Sequence, residues 1–99
     1  MKPEDPVPES ILVRKDEKLF VPLAHLGEVA EYSVEVDSDP YKHDITQHTA
    51  VVLFEGEYYM FSYLRSYNHG ISEDAGNYGD EELVKVKPVE VTKISWQRA

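Results

Sequence analysis

Residues 51–67, VVLFEGEYYMFSYLRSY, form the longest dense run of apolar and aromatic residues in the chain and hold four of its seven tyrosines. Val51, Val52, Leu53 and Phe54 suit a pleated, half-buried surface, and Glu57 to Leu64 continue in the same manner. Glu55-Gly56 interrupts them, and Gly56 can take the positive φ that a tight turn needs. The stretch therefore predicts a β-hairpin turning at Glu55-Gly56. In its second arm Tyr59, Phe61 and Tyr63 share one face, while Tyr58, Met60, Ser62 and Leu64 share the other. Both faces are apolar enough to be covered, which makes this a central strand or one with a partner on one side. The tyrosines read as core residues with wet hydroxyls. Alternatively, some of them form a binding surface.

Before the hairpin, Tyr32, Val34 and Val36 alternate with Ser33, Glu35 and Asp37, the pattern of a half-buried strand with an acidic outer face. Asp37-Ser38-Asp39-Pro40 predicts its end, with Pro40 as the breaker. Tyr41 to His48 reads as a polar loop, with the next strand starting at Thr49 or Ala50. Residues 22–31 predict the one helix, with Pro22 at its first position and Leu23, Leu26 and Ala30 on one face. Ile11–Val13 and Leu19–Leu23 read as strands joined by a turn at Asp16-Glu17. Pro3, Pro6 and Pro8 make residues 1–10 a flexible, proline-rich arm, which leaves residues 11–99 as a single globular domain.

After the hairpin, residues 68–82 (NHGISEDAGNYGDEE) have three glycines, five acids and no base, the composition of a long loop. Residues 83–96 close the chain as strand, with a slip in parity at Pro88 that a bulge or edge position would reconcile. The fold class is thus α+β and β-dominated: a small, mainly antiparallel sheet with a central hairpin and one short helix. The expected core is Leu12, Leu19, Val21, Leu26, Val34, Val36, Val52, Phe54, Tyr59, Phe61, Val84, Val86, Val91 and Trp96.

The net charge is −9, and its distribution is uneven. Residues 28–82 carry thirteen acids against only Lys42 and Arg65, whereas residues 83–99 carry one acid against four bases. An acidic middle of this strength repels bare nucleic acid and attracts basic surfaces. The chain has no cysteine, which excludes disulfides, thiolate metal sites and a cysteine nucleophile, and fits a cytoplasmic protein. No apolar run reaches a membrane-spanning length, and the first ten residues lack the apolar core of a secretion signal.

Catalytic signatures are missing. No GxSxG, HExxH, calcium loop or glycine-rich phosphate loop occurs. Asp37, Asp39, His43, Asp44 and His48 are the one group of metal-capable residues close in sequence. Their spacing is poor, and a polar loop accounts for them better than a metal site does. Arg65, alone between Arg14 and Arg98, reads as the partner of a nearby acid.

The runs VPLAHL (21–26), EGEYYMFSYLRSYN (55–68) and LVKVKPVEV (83–91) give a strand order that loosely resembles ParB-like and sulfiredoxin-like domains. Those families carry a Gly-His-Arg-type motif after the central strand. Here that place reads Ser62-Tyr63-Leu64-Arg65, so the catalytic and nucleotide-binding elements of the resemblance are missing.

These features point to a small acidic protein-binding protein that acts as an inhibitor, its carboxylates standing in for phosphates on the basic nucleic-acid-binding surface of a target. In size and charge the chain is similar to phage and plasmid anti-defence proteins that block restriction or CRISPR machinery, a likeness of composition alone. The expected contacts are Glu73, Asp74, Tyr78, Asp80, Glu81 and Glu82, with Asp37 and Asp39 second. No catalytic residue, metal, cofactor, membrane or direct nucleic-acid contact is expected. The acids could equally be a solubilising face. The alternatives are an assembly module that joins partners through a β-edge of the hairpin, or a degenerate ParB-like or metal-dependent enzyme fold using residues 37–48.

Overall fold

The computed structural model describes residues 3–77, 79–90 and 94–99. Among these, seven strands form one sheet: β1 (Val13–Lys15), β2 (Lys18–Val21), β3 (Val34–Lys42), β4 (Ile45–Phe54), β5 (Glu57–Ser66), β6 (Glu81–Glu90) and β7 (Ile94–Arg98). Their order is β1-β2-β6-β5-β4-β3, with β7 also paired to β6, and every strand pairing is antiparallel. The single α-helix, α1 (Leu26–Tyr32), follows a 3-10 turn at Leu23–His25. The fold is a β-dominated α+β domain.

The β4–β5 hairpin lies inside the sheet and pairs without a slip from Phe54↔Glu57 to Ile45↔Ser66. Its turn is Glu55-Gly56, with φ of 51° and 77°. Positive φ at both central residues is what a type I′ turn requires, and its twist matches the twist of the flanking strands. Asp16-Glu17 joins β1 to β2 with the same signature, φ of 51° and 65°. Ile11 precedes that hairpin in a 3-10 turn (Glu9–Ile11) and is buried, so the first strand starts two residues later than the sequence suggests.

One face of the sheet carries the main core. Val52, Phe54, Phe61, Tyr63, Leu83, Leu19 and Val21 pack there under Leu26 and Val29 of α1. Burying each aliphatic side chain stabilises the fold by roughly 1.5–3 kcal/mol. Val29, one helical turn from Leu26, takes the central helix position that the sequence pattern assigned to Leu23 and Ala30, both only half-buried. The helix ends at Ser33, whose hydroxyl donates to the Ala30 carbonyl at 2.6 Å.

Residues 3–10 are not a loose arm. The Val7 N–H donates to the Leu53 carbonyl at 2.8 Å, Pro6 forms a parallel bridge to Leu53, and Val7 is buried in the core. One buried valine and one backbone hydrogen bond suffice because the prolines leave this segment little entropy to lose.

Pro40 does not end a strand. β3 runs through it to Lys42, and β4 already starts at Ile45, so the expected 41–48 loop is a hairpin turning at His43-Asp44. β3 lies at the edge of the sheet, where the N–H that proline lacks is not needed. Bulges fall between Glu35 and Asp37 and between Pro40 and Lys42. The first of them takes Val36 out of register, and it is 38% exposed, not a core residue.

Residues 83–96 form parts of two antiparallel strands, β6 and β7, not one. Pro88 sits within β6 opposite Trp96, beyond the last pairing of β6 with β5 at Val86, which is an edge position on that side. The expected core residue Val91 lies outside the described residues. Among the described residues no helix is long and apolar enough to cross a membrane.

Candidate functional site

The site grows from a gap in the sheet. β5 and β6 pair only from Tyr58↔Val86 to Met60↔Val84. Past Met60 no pairing with β5 continues, while Glu81–Leu83 of β6 keep their pairing with β2 on the opposite edge of that strand. This would leave the outer backbone groups of β5 unpaired, at a cost of about 1–3 kcal/mol for each buried group. Side chains take the place of the missing strand. The Glu81 carboxylate accepts a hydrogen bond from the Ser62 backbone. Asn77 accepts from the Leu64 N–H through Oδ1 and donates to the Leu64 carbonyl through Nδ2, both at 2.9 Å. Asn77 Nδ2 also donates to the Ser72 carbonyl at 2.8 Å. At the end of β5, Ser66 and Gly70 exchange backbone hydrogen bonds of 2.8 and 2.9 Å.

The segment between β5 and β6, which reads as a flexible loop from its composition, is therefore stitched to β5. Ala75 and Asn77 are buried. Gly76 has φ of 110°, a backbone conformation that favours glycine, and a Cβ there would also push against the movable end of Leu64, whose Cδ1 lies 2.9 Å away. A cleft of about 320 Å³ remains at this end, lined among others by Tyr41, Gln47, Ser62, Tyr63 and Glu81. Burial raises the Glu81 pKa above its ordinary value, and the nearby Glu82 charge adds to this, while the Ser62 hydrogen bond opposes both.

The expected contact residues divide. Asp37 and Asp39 stand exposed on β3, opposite Thr49 and Gln47 and hence on one face. Asp39 pairs with Gln47, Gln47 with Leu64, and Leu64 is held by Asn77. The β3 acids thus lie three strand spacings, about 14 Å, from the stitched segment. That segment carries Glu73, exposed, and Asp74 in one 3-10 turn (Glu73–Ala75), followed by exposed Asp80. Glu81 and Glu82 belong to β6, not to a loop. Glu81 is half-buried at the cleft, and Glu82 pairs with Lys18 at 3.7 Å. Tyr78 lies outside the described residues.

Exposed aromatic residues that the sequence reading did not single out sit at the same end. Tyr67 is 91% exposed and Tyr41 is 51% exposed. The turn at His43-Asp44 and the turn after β5 meet there, with Tyr67 N–H donating to the Asp44 carbonyl at 3.0 Å and Asn68 Nδ2 donating to Asp44 Oδ2 at 3.4 Å. The available signal was a tyrosine within a polar turn sequence, PYKHD and SYNHG.

Charge is segregated. At the far end of the sheet Arg14 pairs with Glu55 at 3.2 Å and Lys85 with Glu57 at 2.7 Å, besides Lys18 with Glu82. A second groove, of about 340 Å³, lies among Arg14, Lys18 and Lys85, but each of these cations is already matched. Among the described residues, Asp37, Asp39, Glu73 and Asp80 form no ion pair, nor does the exposed Arg65, for which an acid partner was expected. Arg65 stands opposite Thr46, on the sheet face away from Asp37 and Asp39.

The group at 37–48 does not converge. His48 sits on the opposite face from Asp37 and Asp39, with its Nδ1 on the Glu35 carboxylate and its ring stacked on Tyr63 at 5.2 Å. Among the described residues no three metal-capable side chains gather. No protein-family model matches the chain, nor does any curated protein or solved structure at a significant level.

Proposed function

We propose that this chain is a non-enzymatic protein-binding module that docks its acidic end onto a basic surface of a partner, in the manner of an inhibitor covering a nucleic-acid-binding face. The observation that carries this reading is the segregation of charge. Asp37 and Asp39 on one side, and Glu73 and Asp80 on the other, stand exposed and without ion pairs among the described residues, whereas Glu55, Glu82 and Glu57 at the far end are matched by Arg14, Lys18 and Lys85. Unmatched carboxylates steer a basic partner and fix its orientation. Tyr41 and Tyr67 add exposed aromatic area of the kind that anchors interfaces.

The assembly reading is less well supported. The β4–β5 hairpin has neighbours on both sides, and the open stretch of β5 is closed by Asn77 and Glu81. The outer strand, β3, has Pro40, two bulges and acidic side chains, all features that discourage strand addition.

Capture from a cell lysate at low and high salt, followed by mass spectrometry, tests the proposal. A stoichiometric partner with a basic face, released by salt, is the expected result. Recovery of no such partner, or of one indifferent to salt, overturns it.

A further inference from the structure

We infer that the cleft between β5 and β6 receives an arginine side chain of the partner. This rests on the docking reading above and assigns the residue at its centre.

The cleft of about 320 Å³ lies at the acidic end, and its walls combine three kinds of group. Tyr41 supplies an aromatic ring, Glu81 supplies a carboxylate, and Gln47 and Ser62 supply neutral polar groups. Asp39, paired with Gln47, and Asp80, next to Glu81, add negative charge at its margin. A ligand suited to these walls is a cation that is flat, weakly hydrated and rich in donors. A guanidinium meets all three demands, stacking on aromatic faces and donating to a carboxylate at once. An ammonium meets them poorly, being compact and strongly hydrated.

Two features of the free protein support a cation here. Lys42 already holds its Nζ 5.5 Å from the Tyr41 ring centroid, so that ring accepts positive charge. Glu81 carries a carboxylate whose charge burial disfavours, and a bound cation would relieve that penalty. The Ser62 backbone gives the Glu81 carboxylate one hydrogen bond, and a carboxylate has acceptor capacity for more. The arginine displaces Lys42 from Tyr41 and bonds to Glu81, while the exposed acids hold the surrounding basic surface.

The test compares three peptides of one length, an arginine–glycine repeat and its lysine and citrulline counterparts. Binding is followed by backbone amide shifts of the full chain. The arginine peptide is expected to move Ser62, Glu81 and Tyr41 and to bind several-fold more tightly than the lysine peptide, with the citrulline peptide failing to bind. Glu81→Gln, which keeps an acceptor for the Ser62 N–H, should weaken the arginine peptide roughly tenfold. Tyr41→Ala, on an exposed edge strand, should weaken it roughly two- to fivefold. Equal affinity for the arginine and lysine peptides, unchanged by either substitution, overturns the cleft assignment while leaving the acidic docking surface intact. Binding of neither cationic peptide overturns both. Free arginine binding as tightly as the peptide would mark the cleft as a small-molecule site and overturn the assignment to a partner's side chain.

Discussion

The side-chain amide of Asn77 pairs with both backbone groups of Leu64, at 2.9 Å each, and so acts as one residue of a strand that β6 does not provide. The two residues are thirteen apart in sequence, and the bond between them converts a glycine-rich, acidic segment into a fixed wall of the cleft. Removing the amide leaves the Leu64 N–H and carbonyl without partners. Asn77→Ala is expected to destabilise the fold by about 2–4 kcal/mol, read from the midpoint of urea denaturation. A loss below about 0.5 kcal/mol would mean that water replaces the amide and the segment is not pinned by it.

The fold shows which of its features are written locally. The β4–β5 hairpin was legible because apolar residues fill both arms and Gly56 marks the turn. The Asp16-Glu17 turn was legible from its polar pair between apolar runs. β3 was not, because Pro40 and the acids around it give the local signal of a strand end. An edge strand is exempt from that signal, needing one neighbour and no outer N–H. Val7 was missed because a lone valine among prolines shows no periodicity, and only its pairing with Leu53 buries it. The stitching of Asn77 to Leu64 is a tertiary contact, and composition carries no trace of it. The acids at 37–39 and 73–80 were legible as charge, but their position on either side of one cleft follows from the register through Gln47 and Leu64.

Glu81 gives the fold a pH dependence of definite sign. Its carboxyl is held above the ordinary value of 4.5, chiefly by burial. The folded chain therefore binds this proton more tightly than the unfolded chain does. The contribution is fully present below about pH 4.5 and is lost as pH rises through the raised pKa of Glu81. Glu81→Gln removes this term. The stability difference, variant minus wild type, should rise with pH across that window when urea denaturation is repeated at a series of pH values. Parallel profiles, or a difference that falls with pH, would contradict the assignment.

The β1–β2 turn holds strain that can be relieved. Asp16 and Glu17 both adopt positive φ without a glycine between them, and left-handed backbone costs an ordinary residue roughly 1–2 kcal/mol. Asp16→Asn combined with Glu17→Gly supplies the pair that type I′ turns prefer. A gain of about 1 kcal/mol is expected, seen as a rise in Tm of roughly 4–8 °C for a domain of this size. No rise would show that the turn relaxes at no cost in the native fold.

If the position of the acids, not their number, makes the binding surface, removing them at one end must differ from removing as many at the other. Two variants with equal changes in net charge test this most directly. One replaces Asp37, Asp39, Glu73 and Asp80 by their amides. The other does the same to Glu17, Glu55, Glu57 and Glu82 at the far end of the sheet. Affinity for an arginine–glycine repeat peptide is measured for each across a range of salt. The first variant is expected to lose roughly tenfold or more in affinity, together with much of the salt dependence, and the second to stay within about twofold of wild type. Equal losses in both would show that net charge alone attracts the peptide and would contradict a defined acidic docking end.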